Sequence, residues 1–248
     1  MKSLTILAGY DKNGLKEAIA SITLFPGDLY TIVGNTGSGK SRLIKDIEQL
    51  VIGDSISKRK VLLDGNAVSI ENRAALSDTL VAHLSQNMRF VLDTDVKTFL
   101  TLHAKCRERS SIDVEEIIHT ANTITPESIA AIQNLNTLSG GQTRALMIAD
   151  IACICDSPIV LIDEIENAGI DKIKALKMLT QKQKLVLIVT HDIHTALMAK
   201  QRIVMHHGAI DCVIKRNEQE EQLFHQLSKD YTIHLKMQNS LRMGEHIL

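Results

Sequence analysis

One stretch constrains this chain more than any other: Gly34-Asn35-Thr36-Gly37-Ser38-Gly39-Lys40-Ser41. It fills the pattern G-x-x-x-x-G-K-[ST] and carries an extra glycine at position 37. The pattern has meaning only between a strand and a helix. Before it, residues 28–33 are β-prone and follow the turn sequence Phe25-Pro26-Gly27-Asp28. After it, Leu43, Ile44, Ile47, Leu50 and Val51 recur at helical spacing, opposite Arg42, Lys45, Asp46 and Glu48. In that setting the residues from Gly34 to Arg42 are candidate phosphate binders. The glycines let successive backbone N–H groups turn inward on a polyphosphate, and the helix adds its positive N-terminal end. Lys40 is placed to reach the β- and γ-phosphates, and the Ser41 hydroxyl to ligate Mg²⁺.

The chain has 248 residues, long enough to bury a proper core in one or two domains. Basic and acidic side chains nearly cancel, for a formal net charge of −1, which argues against nucleic acid as the main partner and leaves only a local basic patch for it. Aromatic residues make up only 3%, too few for a base-stacking platform. The longest apolar stretch, residues 145–163, is broken by Asp150, Asp156 and Pro158, so no membrane span is expected. With no secretory pattern at residues 1–14 and four cysteines that suit reduced thiols, a cytoplasmic location is expected. Cys153 and Cys155 read as buried small apolar residues rather than metal ligands, because metal sites favour C-x₂-C and a second pair.

Farther along, the run Ile159–Ile162 ends in Asp163-Glu164. A short, uniformly apolar run suits a strand buried on both faces of a parallel sheet. Carboxylates at its C-terminal end lie beside the phosphate loop, where ligands of open α/β sheets bind. Asp163 is then expected to hold the Mg²⁺ shell and Glu164 to polarise an attacking water.

Between these two motifs stands Leu138-Ser139-Gly140-Gly141-Gln142, identical to the signature of the ATP-binding cassette (ABC) ATPases. Ser139 and the paired glycines open a helix whose N-terminus can face a γ-phosphate. A chain that already owns a phosphate loop thereby gains a second anion-binding helix end. In the family this end meets the nucleotide of a partner cassette, so the resemblance implies a homodimer or heterodimer that sandwiches two ATP molecules head to tail. Three more positions resemble the family pattern. Gln86, in VAHLSQN, looks like the glutamine that senses Mg²⁺ and the γ-phosphate and lies where partners dock. His191, in KLVLIVTHD, looks like the switch histidine on the γ-phosphate. Tyr10 stands close to where the family places an aromatic that stacks on adenine.

The segment between Gln86 and Leu138 reads as a small helical insert. Val96, Phe99, Leu100 and His103 recur at helical spacing, as do Val114, Ile117, Ile118 and Ala121. Asp113 with Glu116 resembles a capping box, and Thr125-Pro126 reads as the start of a further helix. The resemblance covers roughly residues 3 to 213 and implies an α/β P-loop NTPase of ABC type. A single domain over residues 1–248 is expected, with a mostly parallel sheet core and an antiparallel N-terminal β part. A helical subdomain is expected at about residues 88–143, and a partly helical tail at 214–248.

The chain departs from transporter cassettes after Asp163-Glu164. Ile165-Glu166-Asn167-Ala168-Gly169-Ile170-Asp171 is one residue longer than the usual run and resembles the corresponding region of OLD-type and SMC-like ATPases. Asp171 takes the place of the aspartate that follows, and Asp150 stands where transporters often carry arginine. Two roles stay open. One is the ATP-binding subunit of an ABC transporter, held at the inner face of the membrane by a permease. The other is a soluble ABC ATPase that remodels or activates a protein or a nucleic acid.

Overall fold

In this computed structural model, residues 1–109 and 111–247 are described. Two sheets meet beside the phosphate loop. The smaller is antiparallel and built from β1 (Leu4–Leu7), β2 (Ser21–Leu24), β4 (Lys60–Leu63) and β5 (Asn66–Ala67), in the order β2-β1-β4-β5. The larger has the order β10-β9-β3-β8-β7-β6. Its strands are β3 (Leu29–Val33), β6 (Val81–Leu84), β7 (Ile159–Asp163), β8 (Leu185–Val189), β9 (Gln201–His206) and β10 (Ala209–Lys215). All neighbours in it are parallel except β9 and β10, which form a hairpin. The expected mostly parallel core with an antiparallel N-terminal part is therefore what forms.

The uniformly apolar strands take the centre. Every residue of β8 and all of β7 except Asp163 are buried, because helices cover both faces of a parallel sheet. α1 (Lys40–Glu48) packs Leu43, Ile44 and Ile47 into the core shared with β1 and β3. The helix is shorter than its apolar spacing implies: Leu50 turns left-handed at φ 48°, yet it and Val51 remain buried. Burial sets that periodicity, and it outlasts the helix.

α2 (Ile70–Leu80) precedes β6, and α3 (Val96–Cys106) and α4 (Val114–Asn122) follow it. Asp95 and Asp113 cap α3 and α4 by accepting the N–H groups of Thr98 and Glu116. α5 (Gly140–Cys153) runs beneath them, with Leu146, Ile148 and Ala149 in one cluster with Leu100 and Ile118. The expected helix after Thr125-Pro126 does not form. The Asn122 side chain bonds both the N–H and the carbonyl of Ile129, and Gln142 Nε2 donates to Ser128 O. These bonds hold 125–130 in an irregular path and leave too short a run for a helix.

Among the described residues, the remaining α-helices are α6 (Lys172–Gln181), α7 (Ile193–Met198) and α8 (Glu218–Arg242). Asn217 and Glu220 form a reciprocal capping box that starts α8. Among the described residues, no helix is long and apolar enough to cross a membrane.

Candidate nucleotide site

Parallel register brings four sequence motifs to one edge. Ile32 and Asp163 both pair with Val189 in the sheet, and Leu84 pairs with Ile162. Gly34 after β3, Ser85-Gln86 after β6, Asp163-Glu164 at the end of β7 and Thr190-His191 after β8 therefore emerge together at the carboxyl ends of the strands. Open α/β sheets bind their ligands there.

The phosphate loop has a backbone that side chains would spoil. Gly34, Gly37 and Gly39 take φ values of 147°, 76° and 105°. A β-carbon at Gly34 would meet Met205 O at 2.3 Å, and one at Gly39 would meet the Gly208 Cα at 2.8 Å. The loop thus sits tightly against the β9–β10 turn, whose Gly208 N–H donates to Ser38 O at 2.8 Å. Lys40 is buried, and its Nζ donates to Gly34 O (2.7 Å) and Asn35 O (3.1 Å). Burial pulls its pKa down, against the opposing pull of Asp163 and Glu164. Ser38 Oγ is buried and carries no hydrogen bond. Asn35, Thr36, Gly37 and Ser41 are exposed, while Arg42 is half-buried and bonds Asp46 (3.0 Å). A glycine cradle, a lysine held on the loop and a spare hydroxyl fit a polyphosphate. The Ser41 hydroxyl and the Asp163 carboxylate, hard oxygen donors on the same edge, fit Mg²⁺.

Gln86 and Glu164 meet directly, with Gln86 Nε2 donating to Glu164 Oε2 at 2.5 Å. Glu164 lies at φ 51°, and its N–H donates to Val189 O (3.0 Å). The left-handed conformation costs a residue with a β-carbon about 1–2 kcal/mol, and the sheet-edge bond helps hold it. The His191 side chain is exposed, and its backbone N–H is held by Glu166 Oε1 (3.3 Å). Tyr10 is 43% exposed. Two residues later, Lys12 donates through Nζ to Gly37 O (2.7 Å) and through its backbone to His207 O (2.9 Å), so the Tyr10 segment borders the phosphate loop.

Ser139 caps α5 and forms a reciprocal capping box with Gln142, as an S-x-x-Q pattern should. Gly140 and Gly141 line a cleft with Gln86 and Glu164. Among the described residues, no hydrogen bond joins Ser139–Gln142 to Gly34–Arg42 of the same chain.

Several side chains that support the site escaped the sequence reading. Arg59 is fully buried between Glu17 and Asp46 and donates to Gly208 O (2.6 Å). Arg144, buried on α5, joins Ser85 O to Asp163 O (2.8 Å to the latter). Burial lowers its pKa, opposed by Asp163 and Glu166. Glu127 accepts a bond from the Ser139 hydroxyl (2.5 Å). For Arg144, its place about one turn inside the signature helix was an available signal. For Arg59 there was none, since its partners are distant in sequence.

The unusual Asp150 also acquires a physical account. It accepts a 2.7 Å bond from His103 Nδ1. That bond, with a smaller contribution from Cys155, pushes the His103 pKa up to about 10. His103, Asp150 and Cys155 bring their ligand atoms within 4.8 Å of one another. His103 Nε2 in turn accepts from Arg107 Nε (3.3 Å), so the histidine bridges Arg107 and Asp150.

Comparisons with known proteins identify the family and the fold. The ABC transporter family model matches residues 18–167. An uncharacterized ABC transporter ATP-binding protein of Methanocaldococcus jannaschii is 47% identical over 249 residues, covering 100% of this chain and 95% of that protein. The energy-coupling factor transporter ATP-binding protein EcfA of Onion yellows phytoplasma is 28% identical, over 77% of this chain and 70% of its own. Among solved structures, CbiO1 of Clostridium perfringens, part of an ABC transporter complex, superposes with a TM-score of 0.64 at 17% identity, over 97% of this chain and 98% of its own. A dimeric ATP-binding cassette bound to ADP and Pi gives 0.62 at 21% identity, over 86% and 98%. The matched family model, the 47% identity across the full chain and the shared fold together make this chain a member of the ABC transporter family, an ABC-type ATP-binding cassette.

Proposed function

We propose that the chain is the ATP-hydrolysing subunit of an ABC transporter, working as a pair of cassettes closed head to tail over two ATP. The observation that carries this reading is the convergence of Gly34–Ser41, Gln86, Asp163-Glu164 and His191 on one sheet edge. Backbone N–H groups of the loop and Lys40 bind the β- and γ-phosphates. Tyr10 stacks on the base, and Arg42 lies at the rim of the cradle. Ser41, Asp163 and Gln86 would hold Mg²⁺, which when bound would draw charge from the phosphate oxygens. Glu164, oriented by Gln86, takes the proton of the attacking water, and His191 hydrogen-bonds the γ-phosphate. Ser139, Gly140, Gly141 and Gln142 act on the nucleotide of the partner cassette. In support, no hydrogen bond among the described residues joins this segment to the phosphate loop of its own chain.

Residues 88–143 form the helical subdomain in this reading, and 214–248 the tail. An apolar groove beside Gln86 supports a protein partner on that side. It is lined by Phe90, Phe99, Met88, Leu92 and Leu102, the last three exposed. A permease subunit seated there would hold the cassette at the inner face of the membrane.

The test is Glu164→Gln. Loss of the base is expected to slow turnover by about 10²–10⁴-fold and to trap a dimer in Mg-ATP that dissociates in ADP, read by light scattering. Normal turnover would remove Glu164 as the base, and a monomer at saturating Mg-ATP would remove the two-cassette site. Native protein found only in the soluble fraction, without a multi-span polypeptide, would sink the transporter role.

A further inference from the structure

The C-terminal helix has no part in the site as described, yet it is attached to two of its segments. Its start is anchored on the sheet. Arg202 pairs with Glu220 (2.5 Å), and Arg216 pairs with Glu221 (2.7 Å) while lying 4.6 Å over the Phe224 ring. Farther along, the Tyr231 hydroxyl accepts the Lys172 N–H (3.2 Å) and donates to Ile170 O (3.4 Å). Ile170 lies in the segment that runs from Glu164 to Asp171, and Lys172 opens α6 directly after it. Phe224 and Tyr231 pack on His194, with ring centroids 5.7 and 5.1 Å away, and Ser228 Oγ lies 3.1 Å from His194 Nε2. His194 stands one turn past His191.

The two segments also share a buried ammonium. Lys172, 5% exposed, donates through Nζ to Asp192 Oδ2 (2.5 Å) and Thr195 Oγ1 (3.0 Å), and the Tyr231 ring lies 4.9 Å from it. Asp192 is the residue after His191 and caps α7 through the Thr195 N–H (2.8 Å). Burial alone would raise the Asp192 carboxyl, but the bonds from Lys172 and Thr195 outweigh it and hold the pKa at about 2. None of the residues of α8 is buried, so the helix adds little to the core. An apolar contact would cover this spot with less desolvation than a lysine–aspartate pair under a tyrosine. The polar arrangement fixes geometry instead.

We propose that Tyr231 is a positioning residue for ATP hydrolysis: with the Lys172–Asp192 pair beneath it, it sets the His191 segment against the Glu164–Asp171 segment. The inference rests on the ATPase reading above. It gives the tail a direct hold on turnover, separate from ATP binding.

The experiment uses the full chain and compares wild type, Lys40→Ala, Tyr231→Phe, Tyr231→Ala, Lys172→Met and the Tyr231→Ala/Lys172→Met double variant. Measured are kcat, KM for Mg-ATP, nucleotide affinity and the thermal midpoint. Tyr231→Phe keeps the ring and loses two hydrogen bonds, so kcat is expected to fall about three- to fivefold. Tyr231→Ala also uncovers Lys172 and is expected to lower kcat about tenfold, with ATP affinity within about twofold of wild type. The double variant is expected to be no slower than Lys172→Met alone, because one unit has been broken twice. Wild-type kcat in both Tyr231 variants overturns the proposal, as does a parallel loss of kcat and ATP affinity, or strict multiplication of the single effects. If Tyr231→Ala fails to fold, Tyr231→Phe decides alone, and wild-type kcat in it overturns the role. A wild-type chain without ATPase, or one no faster than Lys40→Ala, sinks the ATPase reading and this inference together. Lys40-dependent turnover that ignores Tyr231 sinks the inference only.

Discussion

Arg59→Met tests how far the phosphate loop depends on a charge cluster no ligand touches. The guanidinium is fully buried, pairs with Glu17 and Asp46, and donates to Gly208 O at 2.6 Å. Methionine roughly fills the space but leaves two buried carboxylates without their shared cation. Removing one partner of a buried pair costs about 3–5 kcal/mol. Here both carboxylates keep other donors. Glu17 accepts from Gly9 N (2.8 Å) and Ile210 N (2.7 Å), and Asp46 from Ser57 Oγ (2.6 Å) and Arg42 Nε (3.0 Å). Those bonds keep the loss within that range instead of doubling it. At about 2–4 °C per kcal/mol for a chain of this size, the midpoint should fall by about 6–20 °C. Adding Glu17→Gln removes one of the stranded charges and should return part of the loss, which a purely steric defect would not allow. ATP affinity should weaken as well, because Gly208, which Arg59 holds, bonds the phosphate loop at Ser38. Thermal unfolding followed by circular dichroism reads the first effect, and nucleotide titration the second. A midpoint within about 3 °C of wild type would refute the assigned role of the cluster.

Tyr10→Ala should weaken ATP affinity by about 1–3 kcal/mol, the range for base–aromatic stacking, with kcat at saturation little changed; unchanged affinity in a fluorescent-nucleotide titration removes Tyr10 from the site. Ser139→Arg should leave nucleotide binding by the monomer intact while stopping turnover, and loss of monomer binding by calorimetry would count against a site shared between chains. The His103 pKa is raised above its ordinary value of 6.5 to about 10, so the pair with Asp150 contributes its full stability below pH 6.5 and loses it as pH rises through 10. Denaturant midpoints measured from pH 6.5 to 10 should fall in wild type and fall less in Asp150→Asn; equal slopes would show that the pair carries no such linkage.

The motifs that sequence could read are those in which neighbours in the chain are also neighbours in space. Gly34–Ser41 forms its own cradle, Ser139 and Gln142 cap one helix turn, and Asn217 starts α8 with Glu220. Uniform apolar runs announced β7 and β8, whose burial on both faces leaves no alternation to see. What the sequence hid depends on tertiary pairing. Arg59, between Lys58 and Lys60, is one of three adjacent cations until Glu17 and Asp46 close on it, and Asp150 is an anomaly until His103 arrives from α3. The missing helix after Thr125-Pro126 has the same cause, since the Asn122 and Gln142 side chains claim its backbone. Local propensity favoured a turn of helix there, and long-range bonds overrode it.

The reactive candidates and their supports differ in burial, and that difference has a mechanical sense. Ser41, Gln86 and His191 are exposed, as the proposed contacts with a nucleotide and a second cassette require. Each is held by backbone fixed from below through a buried or half-buried charge. Arg59 braces the turn that supports the phosphate loop, Arg144 ties Ser85 to Asp163, and Glu166 holds the His191 N–H while Lys172 fixes the neighbouring Asp192. A buried cation is tolerated only when its partners are all in place, since desolvation is otherwise uncompensated. These clamps therefore favour one arrangement of the loops over slightly shifted ones more strongly than apolar contacts could. In the proposed two-cassette cycle, a γ-phosphate bound across both chains would select one such arrangement, and its loss would release it.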